Sequence, residues 1–396
     1  MMQSGTGSGA AVLPVPPEAA LAHSRLLTDA IRAEIEAADG HIPFTRFMEL
    51  ALYAPGLGYY SAGSEKIGAA GDFVTAPEIS PLFSRCLARQ CEQVIRRLGQ
   101  GVILEPGAGT GTMAVDMLLE LERRKALPEA YWILEPSAEL RRRQEQTLNA
   151  RIPRLMDRIE WLESLPARPF DGIILANEVL DAFPFDRICI EGGEVRELHV
   201  AWEDGRFAWR SLPAEQVLRD YVGAILDVGC LPDSYTTEVN RSVQPFIASL
   251  AEVLNRGLVL LVDYGYPRTE YYHPQRIDGT MLCHYRHRVH ADPFVYVGLQ
   301  DITASVDFTT VAEAAVTAGL EVCGFTTQAH FLLGCGLDDM QEGGGGDQKA
   351  LLEYARQVKL LTLPAEMGER FKSMALGRGF DEPLAGFRLN DQRHRL

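Results

Sequence analysis

The stretch GVILEPGAGTGT, residues 101–112, joins a short apolar run to an acidic residue and three alternating glycines. The apolar run from Val102 to Leu104 is typical of a buried strand, and residues 110–122 are typical of a helix. Glycines at a strand-to-helix turn let the backbone come close to a bound molecule. The stretch therefore predicts an α/β fold with a ligand over this turn.

The residues in and before the turn narrow the class of that ligand. Gly107 and Gly109 match the start of the dinucleotide fingerprint, but Thr112 stands where its last glycine belongs. The GxxxxGK[ST] phosphate loop is absent. Glu105 precedes the turn, and a carboxylate there disfavours a phosphate and favours an ammonium or sulfonium group. S-adenosylmethionine (SAM) has both cationic groups and no phosphate, so we expect a SAM site. A dinucleotide site and a plain Gly-rich turn are the alternatives.

Further apolar runs alternate with helical patterns along the chain. They predict strands at residues 131–135, 159–162, 170–177 and 258–265. Alternating strands and helices imply a mostly parallel sheet with helices on both faces, and ligands bind at the carboxyl ends of such strands. Polar residues stand at these ends, namely Glu105, Glu135, Asn177 and Asp263. We expect them to surround one site.

Composition and turn patterns also divide the chain into segments. Residues 1–22 are rich in Gly, Ser, Ala and Pro and are expected to be disordered, with Ser24 capping the first helix. Residues 23–98 are expected to form a helical and loop segment that covers the cofactor site, and residues 99–396 the core. Two substrate-side insertions are expected in this core, at about residues 185–255 and 266–306. The first insertion opens with an alternating pattern that predicts an antiparallel meander.

Composition limits the possible partners and location. The 396 residues have a formal net charge of −16, which argues against a nucleic-acid substrate and suits a cationic partner such as an Arg-rich protein segment. The seven cysteines are scattered without a CxxC pair, which is typical of reduced thiols in a cytoplasmic protein. No apolar stretch approaches the length of a membrane span, and no secretory signal is visible at the N-terminus.

Several motifs, taken together, resemble the MidA family, which includes the mitochondrial complex I assembly-factor methyltransferase. They are MELALYAPGLGYYSAG, GDFVTAPEIS, ILEPGAGTGTM, ANEVLDAFPFDRI, LVDYG, GTMLCHYRHRVHADPF and GLQDITASVDF, and they span about residues 43–335. The resemblance implies a class I SAM-methyltransferase fold with inserted antiparallel β and helical parts. It also implies a protein substrate methylated on arginine, as on a respiratory-complex subunit in the mitochondrial member. Residues 1–22 contain no arginine, so they do not resemble a mitochondrial targeting segment and suit a bacterial cytoplasmic protein.

Within this family pattern, the glycine turn becomes the methionine end of a SAM site. Gly107, Gly109 and Gly111 would bind that end, with Glu105 near the SAM amino group. Glu135 would accept hydrogen bonds from the ribose hydroxyls, although it could instead cap the helix that begins at Ser137. Other candidates at neighbouring strand ends are Asn177 for the cofactor and Trp161 and Leu162 for the adenine face. A plain core position is the alternative for Trp161.

The motif GDFVTAPEIS, residues 71–80, ends at Ser80, which is predicted to cap the helix that begins at Pro81. Backbone N–H groups at a helix start suit the carboxylate of a bound amino acid. The resemblance implies that this loop covers the cofactor, with Asp72, Thr75 and Glu78 as candidate ligands. The alternative is that these residues serve only turn formation.

The motif ANEVLDAFP carries the candidate catalytic residues, Glu178 and Asp181. They follow the strand that ends at Asn177 and are three residues apart, so in a helical turn both side chains face the same way. Two carboxylates match the paired N–H donors of a guanidinium group. The alternative is that one of them caps the turn before Pro184.

Four histidines, His273, His284, His287 and His290, are concentrated in 18 residues. The HxxHxxH spacing raises the possibility of a metal site. Methyl transfer from SAM requires no metal, and Pro293 with the neighbouring arginines predicts a loop instead. We therefore expect no metal here and a structural or substrate-facing loop.

These features lead to one functional hypothesis and two alternatives. The sequence predicts a cytoplasmic SAM-dependent protein methyltransferase acting on arginine. A small-molecule methyltransferase is one alternative, and a SAM-binding assembly factor without turnover is the other.

Overall fold

The computed structural model describes residues 13–61, 75–340 and 348–396. The N-terminal part contains α1 (Glu18–Ala37), β1 (His41–Pro43), α2 (Phe44–Tyr53), α3 (Ala76–Ile79) and α4 (Pro81–Leu98). It is followed by β2 (Val102–Pro106), α5 (Thr112–Arg123), β3 (Tyr131–Leu134), α6 (Ala138–Arg151), β4 (Ile159–Leu162) and β5 (Phe170–Asn177).

The second half of the chain contains more strands. It begins with β6 (Asp186–Glu191), β7 (Glu194–Glu203), β8 (Arg206–Pro213), α7 (Gln216–Ile225), β9 (Thr236–Val239), α8 (Val243–Val253) and β10 (Leu254–Tyr266). Next are α9 (Arg268–Tyr271), β11 (Leu282–Tyr285), β12 (Arg288–His290), β13 (Asp301–Thr303), β14 (Val306–Asp307) and α10 (Phe308–Thr317). The last elements are β15 (Glu321–Thr327), α11 (Gln328–Gly334), α12 (Gln348–Thr362) and β16 (Phe371–Arg378).

A mostly parallel sheet forms the centre of the molecule. Its strand order is β15-β16-β10-β5-β2-β3-β4, and β14 pairs with the end of β10. Neighbours from β10 to β4 run parallel, whereas β16 is antiparallel to both β10 and β15. The five strands predicted for the βα units are therefore confirmed as neighbours in one sheet.

Helices cover both faces of this sheet, and β5 shows how its residues divide between them. Ile173 and Leu175 join the hydrophobic cluster on the side of α4 and α5. Ile174 and Ala176 join the opposite cluster, formed with α8 and α10. A strand buried on both faces needs consecutive apolar residues, which explains the unbroken apolar run in FDGIILAN.

Two smaller antiparallel sheets lie beside the core. One has the order β1-β7-β6-β9 with β8 paired to β7, and the other has the order β12-β11-β13. The helices α1 and α2 pack on these sheets through a cluster that includes Leu27, Phe44, Phe185, Val200 and Cys283. The predicted meander is confirmed as β6, β7 and β8.

Several predicted boundaries differ from the structure. The first helix begins at Glu18, so the prediction of disorder is wrong for residues 18–22, and residues 1–12 lie outside the described residues. Ser24 lies inside this helix and donates to the Val297 carbonyl at 2.8 Å, a long-range contact with no local signal. The predicted helix caps Ser80 and Ser137 are confirmed, because each hydroxyl accepts a backbone N–H of its helix.

Some helices pack on a different part of the fold from the one that their position in the chain predicted. The helix α8 falls inside the stretch expected as the first insertion, yet it packs on the central sheet through Val243 and Ile247. Likewise, α4 packs on the core through Phe83, whereas α1 and α2 join the inserted sheets. Tertiary packing, rather than chain order, decides these memberships. Within the described ranges, no helix has the length and apolar character needed to cross a membrane.

Candidate active site

The glycine turn follows β2, the strand at which the order of strands in the sheet reverses. From β2 the chain continues to β3 and β4 on one side, while β5 and β10 lie on the other. Such a reversal opens a crevice beyond the carboxyl ends of the strands. Gly107, Gly109 and Gly111 have φ values of 69°, 53° and 83°, a region that side chains with a Cβ rarely adopt. The sequence thus uses glycine where the backbone has to bend next to the crevice.

A cavity of about 930 Å³ fills this crevice. Its size lies at the upper end of small-molecule sites. The cavity brings together most of the predicted site residues, namely Thr75, Glu78, Glu105, Gly107, Gly109, Glu135, Asn177, Glu178 and Asp181. Gly111 packs against α6, because a Cβ built on it would lie 3.4 Å from the Gln144 Cα atom. Asp72 lies outside the described residues.

Glu105 lies at the end of β2 and is almost completely buried. The Tyr131 hydroxyl donates a hydrogen bond of 2.6 Å to its Oε2. Burial nevertheless raises the pKa of Glu105 to about 7, because the Tyr131 hydrogen bond only partly offsets the loss of solvation. A cation in the cavity would stabilise the ionised carboxylate.

Glu135 is held by a residue that the sequence did not single out. Gln144, fully buried in α6, donates through Nε2 to Glu135 Oε2 at 3.0 Å and to the Gly109 carbonyl at 3.1 Å. The Ser137 N–H donates to Glu135 Oε1 at 2.9 Å. Glu135 thus serves the turn before α6 while still lining the cavity, and burial raises its pKa.

Trp161 and Leu162 lie differently from the prediction. Trp161 Nε1 donates to Gln144 Oε1 at 3.0 Å, and the Arg141 guanidinium lies over the Trp161 ring. Leu162 packs with the core cluster of α8 and α10. Among the described residues, the cavity wall after β4 is formed by Glu163 and Ser164 instead. The register of β4 beside β3 sets this placement, and the residue pattern of β4 alone does not reveal it.

The turn after β5 has a strained backbone. Glu178 has a φ of 53°, and its N–H donates to the Val262 carbonyl at 2.8 Å. Oδ2 of Asp263 accepts the N–H groups of Val179 at 3.2 Å and Leu180 at 3.0 Å. Asp263, at the end of β10, therefore anchors the turn that presents Glu178 and Asp181. Such strain persists only where neighbouring contacts hold it, and it is concentrated at functional sites.

The two candidate catalytic carboxyl groups are close enough to interact, with Asp181 buried and Glu178 partly buried. Burial and the nearby Asp181 raise the pKa of Glu178 to about 8. Burial also raises the pKa of Asp181, although a hydrogen bond with Tyr264 opposes the shift. Asp181 Oδ1 has no hydrogen-bond partner among the described residues. The pair therefore has capacity to accept hydrogen bonds from a cation.

The short helix α3 connects the two ends of the cavity. The Ala76 N–H bonds to the Glu178 carboxyl group, and the Thr110 hydroxyl of the glycine turn donates to Glu78. Thr75, which precedes α3, also lines the cavity. The described part of the predicted covering loop, residues 75–80, thus contacts both the glycine turn and the turn of residues 178–182, named the catalytic turn after its candidate residues Glu178 and Asp181.

The cavity lining is strongly acidic. Its carboxylate residues are Glu78, Glu105, Glu135, Glu139, Glu163, Glu178, Asp181 and Asp301. No lysine, arginine or histidine occurs among the described residues that line it. Because like charges repel in a site of low dielectric constant, the cavity favours cations over phosphates.

Sequence reasoning also missed Tyr53, Tyr60 and Asp301, which line the end of the cavity near Asp181. A signal was present, since Tyr53 and Tyr60 belong to MELALYAPGLGYYSAG and Asp301 to GLQDITASVDF, two motifs of the family resemblance. The histidine-rich stretch forms a hairpin of β11 and β12 that turns at Arg286 and His287. In the described parts of the chain, no three His, Cys, Asp or Glu side chains are grouped as metal ligands.

Comparisons with known proteins agree with this geometry. A sequence model of a family of S-adenosyl-L-methionine-dependent methyltransferases matches residues 86–326. The mitochondrial protein arginine methyltransferase NDUFAF7 homolog of Drosophila melanogaster is 30% identical over 89% of this chain and 85% of its own length. The NDUFAF7 protein of Danio rerio is 28% identical over 85% of this chain and 83% of its own length.

A solved structure resembles the whole fold. A protein from Burkholderia thailandensis, crystallised with S-adenosyl-homocysteine, is 43% identical, with a TM-score of 0.93 over 97% of this chain and 100% of that one. The match therefore covers nearly the whole of both chains. The chain is a member of the MidA family of S-adenosyl-L-methionine-dependent methyltransferases.

Proposed function

We propose that this protein methylates an arginine side chain of a protein substrate. The observation that carries the proposal is the placement of Glu178 and Asp181 in the same acidic cavity as the glycine turn. Two adjacent carboxylates fit the N–H donors of a guanidinium group. The relatives named protein arginine methyltransferases support the same substrate class.

The residues at the other end of the cavity fit SAM. Gly107 and Gly109 have no side chain to block a close approach, and the buried carboxyl of Glu105 suits the SAM amino group. Glu135 also lines the cavity, where it can accept hydrogen bonds from the ribose hydroxyls of SAM. When bound, SAM supplies a methyl group activated by its sulfonium charge.

The catalytic turn has to bind and orient the nucleophile. A guanidinium is a poor nucleophile, because its pKa exceeds roughly 12 and its charge is delocalised. Glu178 and Asp181 would bind its N–H groups and localise that charge. The rigid turn, anchored by Asp263, would keep the accepting nitrogen aligned with the methyl donor. Catalysis would then come mainly from positioning and electrostatics.

The nitrogen that accepts the methyl group has to lose one proton. Glu178 is the suitable acceptor, because burial raises its pKa to about 8 and makes it a stronger base than an exposed carboxylate. The carboxylate would be ionised while the guanidinium is bound and protonated after transfer. Release of that proton to solvent would reset the site.

We extend the proposal to location and target. The seven cysteines include no disulfide, which supports a reducing compartment, and we place the reaction in the cytoplasm. The family resemblance supports a respiratory-complex subunit as the methylated protein.

The test is incubation of the purified protein and radiolabelled SAM with lysate from a strain that lacks the gene. We expect a labelled protein band whose label is recovered as methylarginine after hydrolysis. Glu178→Gln should lower the rate at which the band is labelled at least roughly tenfold. Glu353→Gln is the matched control, because Glu353 lies on the surface, paired with Arg356 and away from the cavity.

Each other result points to a different function. A labelled small molecule would replace the proposed substrate class, and label on another amino acid would reject arginine. Absence of any transfer, despite measured SAM binding, would indicate a binding factor without turnover.

A further inference from the structure

Tyr53, Tyr60 and Asp301 line the cavity, yet they have no part in the methyl transfer described above. The two tyrosine rings are stacked, with centroids 5.4 Å apart and an angle of 17° between their planes. The Tyr53 hydroxyl donates to the Ala182 carbonyl at 2.8 Å, and the Tyr60 hydroxyl donates to Asp301 Oδ2 at 3.0 Å. Both rings are therefore held in place before any ligand binds.

These hydrogen bonds join the tyrosine stack to the catalytic turn. Ala182 directly follows Asp181, and the Ala304 N–H donates to the Asp181 carbonyl at 3.1 Å. The backbone at Asp181 is thus fixed by Tyr53 of α2 on one side and by the segment after Asp301 on the other. The two tyrosines and the carboxylates form one connected unit, although they come from three distant parts of the chain.

The unit leaves specific surfaces available to a ligand. Asp181 is only 7% exposed, and its Oδ1 lacks a hydrogen-bond partner among the described residues. A buried carboxylate oxygen without a donor costs free energy, which a donating ligand can recover. Tyr53 is 40% exposed although its hydroxyl is bonded, so part of its ring remains uncovered. An aromatic face and a free anionic oxygen therefore occur together in one wall.

We propose that Tyr53, Tyr60 and Asp301, together with Asp181, form a subsite that selects a flat, delocalised cation. The subsite would accept an arginine guanidinium and discriminate against a lysine ammonium. This inference rests on the proposed function, because it names the group that the same cavity takes for methylation.

The physical basis is the difference between the two cations. A guanidinium can stack on an aromatic face while its edge donates to carboxylates, and it is weakly hydrated. An ammonium is compact and strongly hydrated, so it gains less from the ring and loses more on entering the cavity. Tyr53 would contact the cation directly. Tyr60 is a positioning residue, because its hydroxyl sets the orientation of the Asp301 carboxylate.

The test uses the full chain saturated with S-adenosyl-homocysteine and two probes of equal charge, ethylguanidinium and ethylammonium. Affinities are measured by calorimetry or ligand-observed NMR. We expect the wild-type complex to bind ethylguanidinium about tenfold more tightly, within the range of a cation–π contact in a desolvated site. Equal affinity for the two probes would overturn the proposal.

Variants separate the ring from the charge. Tyr53→Leu should reduce the preference for ethylguanidinium to about twofold, while Tyr53→Phe retains the ring and the preference. Asp301→Asn should weaken the binding of both probes by a similar factor. An unchanged preference in a folded Tyr53→Leu variant would remove Tyr53 from the subsite. Binding of S-adenosyl-homocysteine at wild-type affinity shows that each variant is folded.

Tyr60→Phe tests the positioning role of Tyr60. This variant is expected to fold, because it retains the ring that stacks on Tyr53. It should raise KM for an arginine peptide several-fold with a smaller change in kcat, and unchanged kinetics would contradict the role. The probe experiment is independent of turnover. A guanidinium preference without any labelled protein in lysate would keep the subsite and reject the proposed function. Labelled protein together with equal probe affinities would keep the proposed function and reject the subsite.

Discussion

Glu178 combines a left-handed backbone, a partly desolvated carboxyl group and a neighbouring carboxyl, three features that a purely structural position rarely combines. Each costs folding free energy. The turn tolerates them because Asp263 accepts its backbone N–H groups. At the scale of the residue, the cost is consistent with a site built to receive a cation.

Glu178→Gln retains the size of the side chain and removes its charge. We expect turnover to fall at least roughly tenfold, equivalent to about 1.4 kcal/mol of activation free energy. SAM affinity should change little, because the glycine turn and Glu105 are untouched. Steady-state kinetics with a verified substrate and calorimetry with SAM measure the two effects. Wild-type turnover in both Glu178→Gln and Asp181→Asn would show that the pair is structural.

The raised pKa of Glu178 predicts a pH dependence. Below about pH 8 the free enzyme holds this carboxyl largely protonated, and a bound guanidinium favours its ionised form. Substrate binding near neutral pH should therefore release a proton, and kcat/KM should rise with pH and level off above about 8. Calorimetry in buffers of different ionisation enthalpy measures the released proton. Persistence of the same release in Glu178→Gln would assign it to another group.

The same shift has a consequence for stability. The pKa of Glu178 is raised from 4.5 to about 8, so the folded state binds more protons than the unfolded state between these values. The free energy of unfolding should therefore fall as pH rises through this window. Glu178→Gln should reduce that slope, which denaturant titrations at several pH values can measure.

Gln144 is predicted to position Glu135, the carboxylate that we propose binds the ribose of the cofactor. Gln144→Leu removes hydrogen bonds to Glu135, Gly109 and Trp161, so SAM affinity should fall about tenfold or more, with kcat at saturating SAM less affected. Gln146→Leu is the matched control, because Gln146 is exposed on the same helix. Equal SAM affinity in the two variants would show that Gln144 has no positioning role.

At the scale of elements, α2 connects the inserted sheets to the substrate end of the cavity. Phe44 begins this helix and packs on Phe185 and Trp209, with ring centroids 5.5 Å and 4.9 Å away. Tyr53 ends the same helix and contacts the catalytic turn through Ala182. The inserted sheets therefore reach the site through α2, in addition to the direct contribution of Asp301 in β13.

Phe44→Ala should test that connection. Loss of a buried phenylalanine costs about 3–5 kcal/mol of stability, and here the loss falls on the packing of α2. Methyl transfer should decrease much more than affinity for S-adenosyl-homocysteine, since the glycine turn belongs to the core. Leu26→Ala, at an exposed position of α1, serves as the control. If methyl transfer and affinity for S-adenosyl-homocysteine fell by the same factor, α2 would support the entire cavity.

At the scale of the whole molecule, one cavity is lined by residues from Tyr53 to Asp301. The N-terminal helices, the central sheet and the inserted sheets all contribute to it. A ligand there should therefore stabilise the chain as a unit.

Thermal unfolding can measure this stabilisation. S-adenosyl-homocysteine at about one hundred times its Kd should add about 2.7 kcal/mol to the free energy of unfolding. NAD, whose pyrophosphate meets an acidic lining, should produce no shift. A larger shift with NAD would revive the dinucleotide alternative for the glycine turn.

The sequence by itself determined the elements with local causes. Unbroken apolar runs specified the strands β2, β5 and β10, since strands buried on both faces need such runs. The glycine turn, the caps Ser80 and Ser137, and the acidic residues at strand ends were also readable, because their chemistry acts over a few residues. The glycine turn and Glu105 indicated the class of cofactor, and the family motifs added the expected substrate class.

Only the tertiary structure decided which distant residues meet. Tyr60 and Asp301 are 241 residues apart and share a hydrogen bond, and Gln144 joins three separate strand ends. Trp161, a candidate for the adenine face, donates to Gln144, a contact that the residue pattern of β4 alone does not reveal. Local periodicity carries information over one or two turns of chain. At the substrate end of this site the sequence indicated Glu178 and Asp181, but the contributions of Tyr53, Tyr60 and Asp301 depend on contacts between distant segments, so only packing determined them.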